Sequence, residues 1–301
     1  MVVAMLVGGA IYDPGFMNRI TGALRWSGGF TQATTLRFPI YLNLITAVLT
    51  LVVALSLREQ SRKLIRGSSV ADDRSLPPKE NAMGAVLTAG AWIARTPLAL
   101  FVILAGVLLD CVIRLFLTFS SSYFRLIDLP AASYGLIWAG LGALGFVVSP
   151  VARRMVQRGA PAGNFALLAI VTLTALAGLA LRWRWWGVVF TFPLGASMVA
   201  IGFILSYYLN ALVESSRRAT VLSFKGLAFN LGYGLVSLLF AFVLRALRDG
   251  GSAEETFGRT LVWLPIGLAL ALVVLTLSFR RHAAVLRQPV VVASDGSENP
   301  P

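Results

Sequence analysis

Residues 97–119 have the sequence PLALFVILAGVLLDCVIRLFLTF, in which Asp110 and Arg114 are the only charged side chains. A transmembrane helix needs about 20 mostly apolar residues, because a rise of about 1.5 Å per residue has to cross about 30 Å of hydrocarbon. This segment is long enough, and polar residues flank it on both sides. We therefore expect it to form a helix that crosses a lipid bilayer.

Six more segments of similar length and composition lie on either side of it. They are residues 37–57, 133–151, 164–181, 186–209, 220–244 and 260–279. Over the whole chain 57% of the residues are hydrophobic and 13% are charged, whereas an ordinary soluble domain has about 25% charged residues. The composition excludes a soluble globular protein, and the seven segments predict an all-α polytopic membrane protein.

The polar stretches divide the chain into four predicted parts. These are an amino-terminal membrane part (residues 1–57), a charged cytoplasmic linker (58–96), a six-span membrane domain (97–279) and a polar cytoplasmic tail (280–301). Residues 1–12 are apolar but too short to span, and no basic region precedes them as a secretory signal would require. We expect them to be the end of a helix whose first part is missing, through truncation or a misassigned start.

The basic residues predict how the chain is oriented. There are 26 Lys and Arg against 13 Asp and Glu, a net charge of +13. The basic residues lie between apolar segments and form no continuous stripe, so they do not indicate nucleic-acid binding. Sixteen fall on one side of the predicted bilayer and nine on the other, with Arg114 inside a span. Because cytoplasmic loops carry the excess of Lys and Arg, we expect a multi-pass protein of the plasma or cytoplasmic membrane with its carboxyl terminus in the cytoplasm.

The residues needed for metal or enzyme chemistry are scarce. The chain has one cysteine, Cys111, and one histidine, His282. A Cys/His metal cluster cannot be built from them, so we expect no metal and no cofactor. An intramembrane enzyme would need a nucleophile with a base, paired carboxylates or metal ligands at one depth. Asp110 is the only acidic residue well inside a predicted span, and the sequence therefore argues against an enzyme.

Asp110 and Arg114 are the leading candidates for a functional site. They are four residues apart, so they project from one face of a helix and can pair. A charge at the bilayer centre costs roughly 2.5–3.5 kcal/mol on insertion scales, and such residues usually face a bundle interior or a water-filled cavity. Two interpretations remain open. Either Asp110 carries a coupling proton and Arg114 binds an anionic group of a solute, or the pair only fixes helix packing.

Polar and small residues elsewhere in the spans are weaker candidates. Four polar residues could line a solute pathway or serve as interhelical hydrogen-bond partners: Asn43, Ser197, Tyr207 and Asn230. Three glycines of one span are expected to let a neighbouring helix approach closely: Gly226, Gly232 and Gly234. Pro193 is expected to bend its helix.

Two stretches carry a family resemblance. Residues 145–159, GFVVSPVARRMVQRG, join two spans through a glycine-containing basic loop, and residues 215–235, SSRRATVLSFKGLAFNLGYGL, lead into the next-to-last span. With six spans behind a charged linker, they resemble the second half of a major facilitator superfamily transporter. The resemblance implies that residues 1–57 hold the end of the fifth helix and the sixth, and that the rest forms helices seven to twelve. The family loop usually carries an aspartate where Pro150 and Val151 stand here, so the gating contact of that aspartate is not implied.

This resemblance implies a secondary active transporter that moves a small solute by alternating access without a cofactor. Its partners would be the lipid bilayer, the solute and protons, and the solute could be a sugar, a drug, an amino acid or an organic anion. Four arginines would belong to cytoplasmic gate loops or serve only as positive-inside signals: Arg153, Arg154, Arg217 and Arg218. In the family, two six-helix halves rock around a site at the membrane midplane. The alternative is a non-transporting truncated membrane remnant or an interaction protein.

Overall fold

The regular elements of the chain are helices throughout the part that the structure describes. The computed structural model describes residues 14–23, 29–35, 37–56, 82–213, 217–248, 250 and 252–289. In chain order the helices are α1 (Pro14–Ala23), α2 (Gln32–Thr35), α3 (Arg37–Ser56), α4 (Ala82–Arg95), α5 (Pro97–Thr118), α6 (Ser120–Leu126), α7 (Tyr134–Arg158), α8 (Pro161–Ala180), α9 (Thr191–Leu212), α10 (Arg218–Ala246), α11 (Ala253–Thr260), α12 (Trp263–Ser278) and α13 (Ala283–Leu286). Short 3₁₀ turns lie at Ala131–Ser133, Trp186–Phe190 and Arg280–His282.

Six helical segments within these ranges are long and apolar enough to cross a membrane. They are Pro97–Thr118, Ala131–Arg158, Pro161–Ala180, Trp186–Leu212, Arg218–Ala246 and Ala253–Ser278. They coincide with the six spans predicted between residues 97 and 279. The prediction of an all-α chain with several helices of membrane-spanning length is therefore confirmed.

Local sequence signals set several of the helix starts. Pro97 and Pro161 each stand at the first position of a helix, where a missing N–H removes no helical hydrogen bond. The side chain of Ser252 accepts a hydrogen bond of 3.1 Å from the backbone N–H of Glu255 and so caps α11. Such a cap stabilises a helix by about 1 kcal/mol.

The seventh predicted span, residues 37–57, forms the 20-residue helix α3. Its apolar part, Ile40–Ser56, is shorter than the six longer segments. Residues 1–12, expected to end a helix, lie outside the described residues, and so does most of the predicted linker.

The predicted linker, residues 58–96, is not wholly a linker, because its last part forms α4. The sequence of α4, AMGAVLTAGAWIAR, is mostly apolar up to its last residue, and the charged residues of the predicted linker, apart from Arg95, all precede residue 82. Ala89 and Ile93 are buried in the core, and α4 packs against α5 and α10. Burial of this apolar face explains why the segment is helical.

The chain divides into two compact units. The first comprises residues 1–81 and 131–139, and the second comprises residues 82–130 and 140–301. The second unit thus includes α4 and leaves out residues 131–139, unlike the predicted domain of residues 97–279. Its central helix is α5, which packs against α4, α8, α9, α10 and α12. Two-thirds of the apolar stretch of α5 is buried, and Asp110 is among the buried residues of this helix.

Candidate functional site

Asp110 and Arg114 form the ion pair that their spacing predicts. Nη2 of Arg114 donates a hydrogen bond to Oδ2 of Asp110 one helical turn earlier. The carboxylate side chain is 6% exposed and the arginine side chain 30% exposed. The acid is therefore enclosed, while the base reaches toward the surface of α5 and leaves N–H groups available to a further partner.

The arginine also contacts α10. Nη1 of Arg114 donates a hydrogen bond of 3.4 Å to Oδ1 of Asn230. The guanidinium carbon lies 5.5 Å from the ring centre of Tyr233, within cation–π range. The hydroxyl of Tyr233 lies 3.2 Å from Oγ1 of Thr118 on α5. Of the four weaker candidates from the sequence, Asn230 is the one that the structure brings to the ion pair.

A glycine permits α10 to come this close. A Cβ atom at Gly232 would lie 2.6 Å from Cγ1 of Val107 and 3.0 Å from Sγ of Cys111. By contrast, Cβ atoms at Gly226 and Gly234 would meet no described residue within 4 Å. The expectation of close approach therefore holds for Gly232 and is wrong for the other two.

Lys225 on α10 is a third charged residue of the site. Its Nζ donates a hydrogen bond of 3.2 Å to Oγ of Ser206 on α9 and lies 5.8 Å from the ring centre of Phe229. It also interacts electrostatically with Asp110. We call Asp110, Arg114 and Lys225, with their partners Ser206 and Asn230, the charged cluster.

The sixteen basic residues on the predicted cytoplasmic side include Lys225. However, residue 225 lies inside the predicted span 220–244. Its position in the sequence therefore indicates a lysine within a span rather than beside the membrane. In the structure Lys225 is the eighth residue of α10 and half-buried. The charged cluster joins three helices, α5, α9 and α10, and its three ionised side chains carry a net charge of +1.

The other pathway candidates have separate surroundings. Ser197 is 1% exposed, and its hydroxyl makes no hydrogen bond within the described residues. Tyr207 is half-buried and packs edge-on against Tyr208, with ring centres 5.8 Å apart. Asn43 is exposed on α3, which belongs to the first unit. Among the described residues, neither Ser197 nor Tyr207 makes a hydrogen bond to the charged cluster.

The four arginines predicted for gate loops lie at helix ends and are all exposed. Nη2 of Arg218 donates a hydrogen bond of 3.3 Å to the carbonyl oxygen of Asn210. The side chains of Arg153, Arg154 and Arg217 make no hydrogen bond or ion pair to any residue that the structure describes. No hydrogen bond or ion pair between described residues joins the two arginine pairs.

A polar network that sequence reasoning missed holds the turn between α7 and α8. Nδ2 of Asn164 donates hydrogen bonds to the carbonyl oxygen of Met155, at 2.9 Å, and to Oη of Tyr208, at 2.7 Å. The hydroxyl of Tyr208 donates in turn to the carbonyl oxygen of Gly159 at 3.4 Å. Asn164 and Tyr208 are both buried. The sequence does contain a signal for this network. Asn164 is a polar amide three residues after Pro161, at the start of an otherwise apolar helix.

Within the described ranges, no three His, Cys, Asp or Glu side chains come together as they would to hold a metal ion. Cys111 is buried, and its thiol donates to the carbonyl oxygen of Phe229 at 3.7 Å. The candidate site is therefore the charged cluster, a set of ionisable and polar side chains between helices of membrane-spanning length. Comparisons with protein families, with curated proteins and with solved structures found no match for this chain.

Proposed function

We propose that this chain acts in secondary active transport of the major facilitator kind, moving a small solute across a membrane by alternating access with proton coupling. The observation that supports the proposal is the charged cluster inside the helices of membrane-spanning length. A solvent-exposed ion pair would carry no such argument, because it is found on most protein surfaces and contributes little energy.

The energetics favour a functional role over a packing role. Desolvation of two buried charges can exceed the Coulombic gain of pairing them, and apolar residues of the same shape often stabilise a protein as much or more. Within a bilayer, ionisable residues that face a bundle interior typically mark substrate pathways or proton relays. The charged cluster places an acid and two bases on neighbouring helices, an expensive arrangement for packing alone.

The geometry suggests distinct roles for the two partners of the ion pair. Asp110 can take up a proton, and its neutral form no longer holds the guanidinium of Arg114 by charge. Arg114 then has N–H groups available for a carboxylate or phosphate of the solute, which guanidinium groups bind in a bidentate manner. Asn230 keeps Arg114 oriented toward α10 through the 3.4 Å hydrogen bond. Protonation and solute binding would in this way be linked at one side chain.

The test is the substitution Asp110→Asn in the full chain reconstituted into vesicles. Uptake of labelled sugars, amino acids and organic anions is measured together with internal pH. We expect wild-type protein to move at least one of these solutes together with protons, and Asp110→Asn to reduce solute-driven proton flux at least tenfold, because the amide cannot carry the proton. Uptake and proton flux unchanged by Asp110→Asn would contradict the proposed coupling.

Asp128→Asn is the matched control. Asp128 makes an ion pair with Arg184 at 2.9 Å, but its side chain is 62% exposed and lies outside the six spanning segments. Asp128→Asn therefore makes the same carboxylate-to-amide change as Asp110→Asn, but in an exposed ion pair. We expect this variant to retain wild-type flux.

The double variant Asp110→Asn with Arg114→Gln separates transport from packing. Breaking a buried pair by removing one partner destabilises a protein by about 3–5 kcal/mol, whereas removing both partners leaves neither charge of the pair uncompensated. If the pair only fixes packing, the double variant recovers both stability and flux. If the pair carries transport, we expect stability to recover and flux to remain lost. Folded wild-type protein that moves none of these solutes and no protons would favour a non-transporting interaction protein.

A further inference from the structure

A second feature of the second unit is an apolar groove of about 490 Å³ between α5, α8 and α12. Its walls include Phe101 and Leu109 from α5, Phe165 and Ile170 from α8, and Ala269 and Val273 from α12. Ile170 is 60% exposed and Val273 is 54% exposed. The groove is therefore open along the apolar outer face of the helices, which is the face that a lipid chain would contact.

The length of the groove matches one leaflet of a bilayer. Its lining runs from Ala162 to Leu173 along α8 and from Ala269 to Phe279 along and just beyond α12. At a rise of about 1.5 Å per residue these stretches span roughly 15–17 Å. Half of a hydrocarbon core of about 30 Å is about 15 Å. The groove thus extends from one end of the helix bundle to about the middle of the membrane.

Positive charge is concentrated at the end of the groove. Arg280 and Arg287 are the only charged residues among those that line it, and both are exposed. Neither side chain makes a hydrogen bond or ion pair to another described residue. Both guanidinium groups are therefore available to bind an anion where the groove meets the headgroup region.

We propose that this groove binds an acyl chain of an anionic phospholipid, with the lipid phosphate held by Arg280 and Arg287. The groove is apolar along its length, open at its side and cationic at one end. These three properties match a molecule that has one long apolar chain attached to an anionic group. Guanidinium groups bind phosphate oxygens in a bidentate manner, which gives geometric selectivity as well as charge. The proposal concerns a site separate from the charged cluster and does not depend on transport.

The test measures which lipids the purified full chain retains in detergent. The protein is mixed with equal amounts of phosphatidylglycerol and phosphatidylcholine with identical oleoyl chains, and bound lipid is counted by native mass spectrometry. Because a basic residue near the membrane surface contributes about 1 kcal/mol toward anionic lipid, we expect Arg280→Gln and Arg287→Gln each to reduce the preference for phosphatidylglycerol about fivefold.

Arg281→Gln is the matched control for charge. Arg281 is adjacent and exposed, but it is not among the residues that line the groove. We expect this variant to keep the wild-type preference. An equal loss with Arg281→Gln would mean that diffuse positive charge attracts the lipid and would overturn the proposal.

Ala269→Phe tests whether the groove itself is occupied. The larger side chain fills the groove, so we expect lower retention of both lipids, with gel filtration and circular dichroism confirming that the variant is folded. Val273→Phe, at an exposed lining position, replaces it if Ala269→Phe aggregates. Unchanged retention of both lipids would overturn the proposal. Phosphatidylglycerol binding that occurs only after removal of residues 290–301 would also overturn it, since the tail would then be the occupant.

Discussion

Tyr123 on α6 is fully buried, yet its hydroxyl has no hydrogen-bond partner among the described residues. It lies outside the spanning helices and against Gly187, where a Cβ atom would collide with the hydroxyl. Burial raises the pKa of this phenol. An unpaired buried polar group is destabilising, and replacing it with an apolar group of the same shape can be neutral or stabilising.

Tyr123→Phe is therefore expected to leave the melting temperature at neutral pH unchanged or raise it. The pH dependence has a definite sign. In the unfolded chain the phenol titrates near pH 10, whereas the buried phenol keeps its proton to higher pH. Above about pH 10 the unfolded state binds fewer protons, so the free energy of unfolding falls as pH rises. Thermal unfolding in detergent at pH 8 and at pH 11 should show a smaller alkaline loss for the variant, and equal losses would contradict this explanation.

The sequence predicts contacts within a helix better than contacts between helices. The pairing of Asp110 with Arg114 follows from a four-residue spacing that helical geometry alone fixes. The contacts of Lys225 and Asn230 depend on how α9 and α10 pack against α5, and a single sequence does not determine that register. The ion pair within α5 was therefore predictable from the sequence, and the contacts between helices were not.

At the element scale, Gly232 is the residue on which the packing of α5 against α10 depends. Val107 faces it, and the β-branched side chain of valine has little rotamer freedom to move aside. We expect Gly232→Ala to lower the free energy of unfolding by about 1–3 kcal/mol, the usual effect of overpacking. Thermal stability in detergent and the rate at which a thiol reagent modifies Cys111 both report the change, since α10 covers that thiol.

Gly234→Ala is the control for this prediction. It lies two residues further along α10, with open space where its Cβ would be. An alanine there gains helix propensity of up to about 1 kcal/mol without a clash. Equal destabilisation by both variants would show that Gly232 has no special role in the contact.

Pro193 and Pro150 occupy different positions in their helices. Pro193 was expected to bend its helix, but the structure places it in the first turn of α9, where no helical hydrogen bond is lost. The difference arises because Trp186–Phe190 is a 3₁₀ turn rather than the start of the helix. Pro150 lies inside α7 instead and removes the N–H that would bond to the carbonyl oxygen of Phe146.

At the scale of the whole molecule, the distribution of basic residues leads to a prediction of topology. We propose that the turn after α7 faces the cytoplasm and that the start of α11 faces the opposite side. Cysteine is introduced at Gln157 or at Ala253, both exposed, and the only native cysteine, Cys111, is buried and gives little background. An impermeant maleimide should label the Ala253→Cys variant in intact cells and the Gln157→Cys variant only after lysis. The reverse pattern would contradict this orientation.

Hydropathy predicted the helical character of the chain and the six longest apolar helices, because a bilayer imposes a length and a composition that one sequence displays directly. The limits of these helices and the role of α4 were harder to predict. The charged residues before residue 82 led to a predicted linker that also included the apolar residues of α4. The grouping of residues 131–139 with the first unit depends on tertiary contacts, which leave no mark on hydropathy.

The turn between α7 and α8 has a consequence for how the chain tolerates its surroundings. Loops normally need water to satisfy their peptide groups. Here the carbonyl oxygen of Met155 accepts hydrogen bonds from both the N–H of Gly159 and the amide of Asn164, and Tyr208 satisfies the carbonyl of Gly159. Backbone carbonyl oxygens that accept such hydrogen bonds do not need water as a partner. The carbonyl oxygens of Met155 and Gly159 therefore have protein partners, and this end of the hairpin does not depend on water to satisfy them.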